Sequence, residues 1–139
     1  MLFEGGCQCG RIRYRARGPR DRASVCFCRM CQKASGGPFM AFVRFPAEQV
    51  EWLTAPSVFA SSNRAERGFC QTCGTPLSYR HLGSPFLSVT LNSLDDPALI
   101  RPEMAFSPEA APDWCLALAD LASAEMDFSA DPQFRNYQR

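Results

Sequence analysis

Seven of the eight cysteines stand in three tight groups: Cys7-Gln8-Cys9, Cys26-Phe27-Cys28-Arg29-Met30-Cys31 and Cys70-Gln71-Thr72-Cys73. Thiolates at such spacings are zinc ligands, and seven of them suggest four plus three. Four sulfurs close a tetrahedral site. Three leave one position open to water or substrate, the arrangement of a zinc ion that takes part in chemistry.

In Cys70–Cys73 two residues separate the thiols, and Gly74 supplies the positive φ that such a turn needs. Cys7 and Cys9 are two apart, so on a strand they face the same side roughly 7 Å apart. Gly10 allows the bend that brings both sulfurs to one ion. These two pairs form one closed site that clips the first strand to a central hairpin, so that binding energy becomes folding energy. Cys26, Cys28 and Cys31 let one loop wrap a second ion from one side and leave the other side free. A competing partition joins Cys28 and Cys31 to Cys70 and Cys73 and leaves Cys7, Cys9 and Cys26 as a trio. An iron–sulfur cluster is a further use of the same thiolates. Cys115, beside Trp114, reads as a small buried apolar residue.

The elements that must position these thiols read as short strands. Arg11 to Arg17 alternates arginine with Ile12, Tyr14 and Ala16, the period of a half-buried strand. Phe39 to Phe45 is apolar on nearly both faces, as in a covered central strand, and Pro46 stops it. Shorter strands are expected at Val50–Leu53, Val58–Ser61, Leu77–Tyr79, Phe86–Thr90 and Met104–Phe106. Nine glycines and eleven prolines punctuate the chain. Asp95 to Leu99 starts a single helical turn with proline just inside, and Leu116–Met126 is an alanine- and leucine-rich stretch with helical character but no clean apolar stripe. The fold class is mainly β, several small coiled antiparallel sheets in a single domain over residues 1–139, with little helix.

Composition narrows the function. With 139 residues, 46% apolar and 21% charged, the chain has the balance of one globular domain. No basic-then-apolar leader opens it and no apolar run approaches the ~20 residues that span a bilayer. A cytoplasmic protein is expected, and no membrane partner. Fourteen of the fifteen basic residues are arginine, and seven of those precede Cys31. That stretch is either a solvated strand face or a positive field for an anionic partner. Lysine is nearly absent and no aromatics interleave for stacking, which argues against nucleic acid.

The motifs resemble the glutathione-dependent formaldehyde-activating enzyme family. Gly5-Gly6-Cys7-Gln8-Cys9-Gly10 and Cys26 to Gly36 resemble its opening, Glu66 to Leu77 its second signature, and Ser93-Leu94-Asp95-Asp96-Pro97 its downstream marker, over about residues 3 to 115. The resemblance implies a β fold of coiled sheets, shared with zinc-bearing chaperones of small GTPases and with centromere protein V. It implies two zinc ions, one structural on Cys7, Cys9, Cys70 and Cys73 and one catalytic on Cys26, Cys28 and Cys31. It also implies condensation of glutathione with formaldehyde to S-hydroxymethylglutathione, a carbon–sulfur lyase reaction. Two positions depart from the family pattern. Phe27 stands where histidine is usual, and Met104-Ala105-Phe106 replaces a His-Ile-Trp segment.

Three thiolates on Zn²⁺ leave a net charge of −1, which favours binding a thiol as thiolate over activating water. A small thiol then adds to an aldehyde carbon. Arg29 and Lys33 flank the motif and are candidates to offset the charge or grip a substrate carboxylate, and Gly36-Gly37 to offer N–H groups to an anion. His81, the only histidine, reads as a surface residue in a turn. A zinc-stabilised, non-catalytic binding module for an anionic or protein partner is the alternative, and an aldehyde or metal sensor using the open site a third reading.

Overall fold

A computed structural model describes residues 1–137. Its strands are β1 (Leu2–Gly6), β2 (Arg13–Arg17), β3 (Arg22–Cys26), β4 (Met40–Pro46), β5 (Val50–Trp52), β6 (Ser57–Ser62), β7 (Ala65–Phe69), β8 (Pro76–His81), β9 (Phe86–Thr90) and β10 (Met104–Phe106). The one α-helix among the described residues, α1, covers Arg29–Ser35. Short 3₁₀ turns complete the regular structure.

The strands form two sheets, β1-β2-β5 and β10-β3-β4-β9-β8-β7-β6. Pairing is antiparallel throughout except at one edge, where β10 runs parallel to β3. The mainly β class therefore holds, with a larger second sheet and one parallel pair in place of several small antiparallel sheets.

Alternation explains why the sheets stack. On β2, Tyr14 and Ala16 are fully buried while the arginines face out. They meet Val43 and Phe45 of β4, Val89 of β9 and Leu77 of β8 in the main core, with Phe3 and Phe45 rings 5.5 Å apart. Tyr14 donates its hydroxyl to Ser93 Oγ at 2.8 Å, while Ser93 donates to the Thr90 carbonyl at 2.7 Å, so this buried polar pair is satisfied. Gly5 is required beside it: a Cβ there would fall 2.5 Å from the Ser93 carbonyl oxygen and the Tyr14 ring.

β4 is central as expected, flanked by β3 and β9, although Pro46 still pairs with Phe86 before the chain turns. The stretch at Leu116–Met126 is not a helix. Residues Asp113–Asp120 make 3₁₀ turns broken at Ala117, and residues 121–126 have no regular structure. Without an apolar stripe to bury, nothing stabilises a longer helix there. Cys115 in that stretch is only partly buried, because its neighbours Trp114 and Leu116 are exposed rather than packed into a core.

The opposite face of the seven-stranded sheet positions the site. Register places Arg22 against Arg44, Ser24 against Phe42 and Arg44 against Ser88, so their side chains share that face.

Candidate metal centres and the cavity above them

The sulfurs of Cys7, Cys9, Cys70 and Cys73 lie within 4.8 Å of one another, and so do those of Cys26, Cys28 and Cys31. The sulfurs thus cluster as four and three, not as Cys28 and Cys31 with Cys70 and Cys73. No cysteine is in a disulfide.

The four-sulfur set is built from two turns. Cys7 leaves β1 and the chain reverses before β2, with Gly10 at φ 79° and its N–H on the Cys7 carbonyl at 3.0 Å. Cys7 and Cys9 thus reach one point through a turn, rather than as two residues on one strand face. The second turn joins β7 to β8, with Gly74 at φ 78° and its N–H on the Cys70 carbonyl at 2.7 Å. Gln8 donates its backbone N–H to Thr75 Oγ1 at 3.0 Å, tying the turns together. The Cys7–Cys9 and Cys9–Cys70 sulfurs are 3.5 and 3.8 Å apart. Ligands at ~2.3 Å around a tetrahedral zinc stand ~3.8 Å from each other, so the set fits that ion.

Hydrogen bonds tune these sulfurs. The Ile12 N–H reaches Cys7 Sγ at 3.2 Å. Burial pushes Cys73 up, but the Thr75 hydroxyl at 3.1 Å and the Thr75 backbone outweigh it and hold the thiol at about 6. The Arg11 backbone pulls Cys9 down, yet burial and the three neighbouring thiols push it to about 11. Thiols this close compete for charge, and a divalent cation removes the competition.

The three-sulfur set sits where β3 passes into α1. Cys26 ends β3, Cys28 is the N-cap and Cys31 lies in the first turn. The cap is made by a thiol: Cys28 Sγ accepts the Cys31 N–H at 3.4 Å. Gly36 closes the helix in the left-handed conformation at φ 72°. Burial raises Cys26 to about 12 and also raises Cys31, whereas the Cys31 N–H and neighbouring thiols overcome burial to lower Cys28.

Arg67 of β7 was not anticipated. It is 5% exposed and donates to Cys31 Sγ at 3.4 Å and to Ser61 Oγ at 2.9 Å, with its guanidinium 5.0 Å from the Tyr79 ring centroid. A buried guanidinium is costly without a counter-charge, and the thiolate cluster supplies one. With Zn²⁺, three thiolates would carry −1, and the Arg67 cation would bring that centre to neutrality.

Above the trio opens a cavity of about 440 Å³ on the outer face of the long sheet. Cys26, Cys28 and Cys31 line it with Arg22, Arg44 and Arg67. Phe42, Tyr79, Phe86 and Phe106 form apolar walls, and Ser24, Ser84 and Ser88 add hydroxyls. His81 also lines it. This residue ends β8 instead of sitting in a turn, and its exposed ring has Nδ1 3.1 Å from the Leu82 carbonyl.

The other expected substrate contacts lie elsewhere. Arg29 and Lys33 line grooves on the outer face of α1, separated from the cavity by Met30. The Gly36 N–H bonds the Gln32 carbonyl at 2.9 Å and the Gly37 N–H bonds Ser35 Oγ at 3.1 Å, which leaves neither for an anion. At the positions that depart from the family pattern, Phe27 packs edge-on against Phe39 with centroids 5.4 Å apart, Met104 is exposed, and Phe106 reaches the cavity.

Comparison with known proteins places this architecture. A Schizosaccharomyces pombe protein named as an uncharacterized lyase is 35% identical over 79 residues, 57% of this chain and 58% of that protein. The match thus spans little more than half of that relative's length. A Halomonas elongata protein, provisionally named a glutathione-dependent formaldehyde-activating enzyme, is 29% identical over 150 aligned positions, covering 91% of this chain and 85% of its own. A crystal structure of a Rhodobacter sphaeroides protein shares the fold at a TM-score of 0.59 and 16% identity, over 75% of this chain and 99% of that one. The profile of the glutathione-dependent formaldehyde-activating enzyme family matches residues 2–109, and the chain belongs to that family.

Proposed function

We propose that this chain is a zinc-dependent lyase-type enzyme that joins a small thiol of the glutathione kind to an aldehyde, and splits the adduct in reverse. The observation that carries the reading is the Cys26–Cys28–Cys31 trio at the end of a cavity lined by three arginines. Cys26, Cys28 and Cys31 would hold the catalytic zinc, and Cys7, Cys9, Cys70 and Cys73 the structural one. A zinc ion held by this trio would lower the pKa of a thiol at its open position and so supply a nucleophilic thiolate.

The chain's own residues do the rest. Arg67 donates to Cys31 Sγ and offsets the negative charge that gathers when a further thiolate enters. Arg22, Arg44 and Arg67 give the cavity a positive field that draws an anionic thiol, and Arg29 and Lys33 extend it across Met30. Phe42, Tyr79, Phe86 and Phe106 limit water around the reacting sulfur. In the step itself the sulfur lone pair forms a bond to the carbonyl carbon. The C=O π pair moves to oxygen, which takes up the proton that left the thiol. The product is the hemithioacetal, with all atoms of thiol and aldehyde retained.

No helix among the described residues is long and apolar enough to cross a membrane. A reducing cytoplasm suits seven thiols kept as ligands.

Exposed Trp114, Leu116 and Leu121 favour the alternative of a zinc-stabilised module for a protein partner. Formaldehyde–glutathione exchange followed by NMR distinguishes the two. The enzyme reading expects exchange faster than the spontaneous reaction and lost in Cys28→Ser; a wild-type rate equal to the spontaneous one refutes it.

A further inference from the structure

Among the described residues, one cation in the cavity has no anionic or hydrogen-bonding partner. Arg20 donates to Glu103 at 2.7 Å and Arg44 to Asp21 at 2.6 Å, so the arginines on either side of Arg22 in sequence and register are paired. Arg67 is spent on Cys31 and Ser61. Arg22 is half-buried, and among the described residues its guanidinium meets neither a carboxylate nor a hydrogen-bond acceptor. It lies 5.1 Å from the Phe106 ring centroid, which holds it at the cavity wall without satisfying its five N–H donors.

Its place on β3 adds a ruler. Arg22, Ser24 and Cys26 alternate along one strand and all line the cavity. Ser24 is 5% exposed, and its hydroxyl has no partner among the described residues. A thiol-binding end, a free hydroxyl and a free guanidinium therefore follow one another at steps of roughly 7 Å. The guanidinium leans over Phe106, which stands opposite Cys26 in register, so its distance from the sulfurs is below the ~13 Å that four strand residues span. Two to three residues of extended peptide cover about 7–11 Å.

We infer that Arg22 is a specificity-determining residue. It takes the carboxylate of a thiol whose sulfur and carboxylate are separated by two to three residues of peptide-like chain, with Ser24 meeting a polar group of that chain in between. The inference rests on the proposed open thiol site at Cys26, Cys28 and Cys31, and selects among thiols that reach it. Small neutral thiols fit the sulfur end but offer Arg22 no carboxylate.

The test uses the full-length, zinc-loaded protein and calorimetric titration with glutathione, glutathione with both carboxylates methylated, and 2-mercaptoethanol. A charged hydrogen-bonded pair of this kind makes wild type prefer glutathione over its ester about 10- to 100-fold. Arg22→Gln removes most of that preference by weakening glutathione far more than 2-mercaptoethanol, and Arg22→Lys recovers part. No preference in wild type, preference kept in Arg22→Gln, or equal weakening of all three thiols overturns the assignment. The wild-type ester comparison stands even if a variant fails to fold. Failure at Arg22 with 2-mercaptoethanol still bound leaves the open site intact. Failure of wild type to bind any of the three thiols overturns the open site and the Arg22 role together.

Discussion

Replacing Arg67 by methionine should distinguish the two cysteine clusters by their zinc affinity. The guanidinium lies 3.4 Å from Cys31 Sγ. Full unit charges at that distance attract by about 5 kcal/mol at an effective dielectric near 20. A zinc centre of three thiolates carries −1, roughly a third of it on each sulfur, so the Cys31 contact alone is worth about 1.6 kcal/mol. That is more than tenfold in affinity, and the two further sulfurs add to it. The expected loss of zinc affinity at the trio is therefore about 10- to 100-fold, the usual size for a partner one shell out from a metal. The four-cysteine centre, with no contact to Arg67, keeps its affinity. Competition with a graded series of chelators reads both constants in one protein, and Arg67→Lys recovers part of the loss as a point charge without the fork. Equal weakening of both centres, or of neither, refutes the argument that Arg67 is the counter-charge of the trio.

Other consequences follow from the same structure. Cys70, 1% exposed, joins the β7–β8 turn to the β1–β2 turn. Cys70→Ser should cost several kcal/mol and lower Tm by roughly 10 °C or more, read by calorimetry with and without zinc. Arg13, first by its hydrogen bonds, holds the Asp95 carboxyl below its ordinary range. The stability this gives is present above the ordinary carboxylate pKa and disappears as pH falls through the lowered one. Since both side chains are more than a third exposed, Asp95→Asn should cost below about 1 kcal/mol at neutral pH and nothing at the acid end, as urea melts across pH would show. His81 stands at the exposed rim, so His81→Ala should leave turnover within about twofold, far below the effect of losing a general acid–base.

What the sequence discloses follows from how each element is stabilised. β2 was legible because arginine and apolar residues alternate over the whole strand, and β9 and β10 because β-branched or aromatic residues mark them. β3 was missed although Arg22, Ser24 and Cys26 do alternate with Ala23 and Val25. Its cavity face is polar and its core face small, so hydropathy gives little contrast. β7 was hidden for a sharper reason: Arg67 is buried, against its hydropathy, by a thiol partner 36 residues away in the chain. α1 has seven residues and is capped by Cys28 rather than by serine or aspartate, so neither periodicity nor a familiar cap announces it. The two cysteine clusters were the most legible part, since their spacing is local. The cavity was the least, because six strands contribute to its wall.

On the proposed function, one closed and one open zinc site would coexist in this chain, the open one taking a thiol. Elemental analysis of wild type and Cys28→Ser, each titrated with glutathione, addresses it most directly. Wild type should hold about two zinc ions per chain and the variant about one. The variant should keep its fold and lose glutathione binding. A single zinc unaffected by Cys28→Ser, or glutathione binding that survives the substitution, would contradict it.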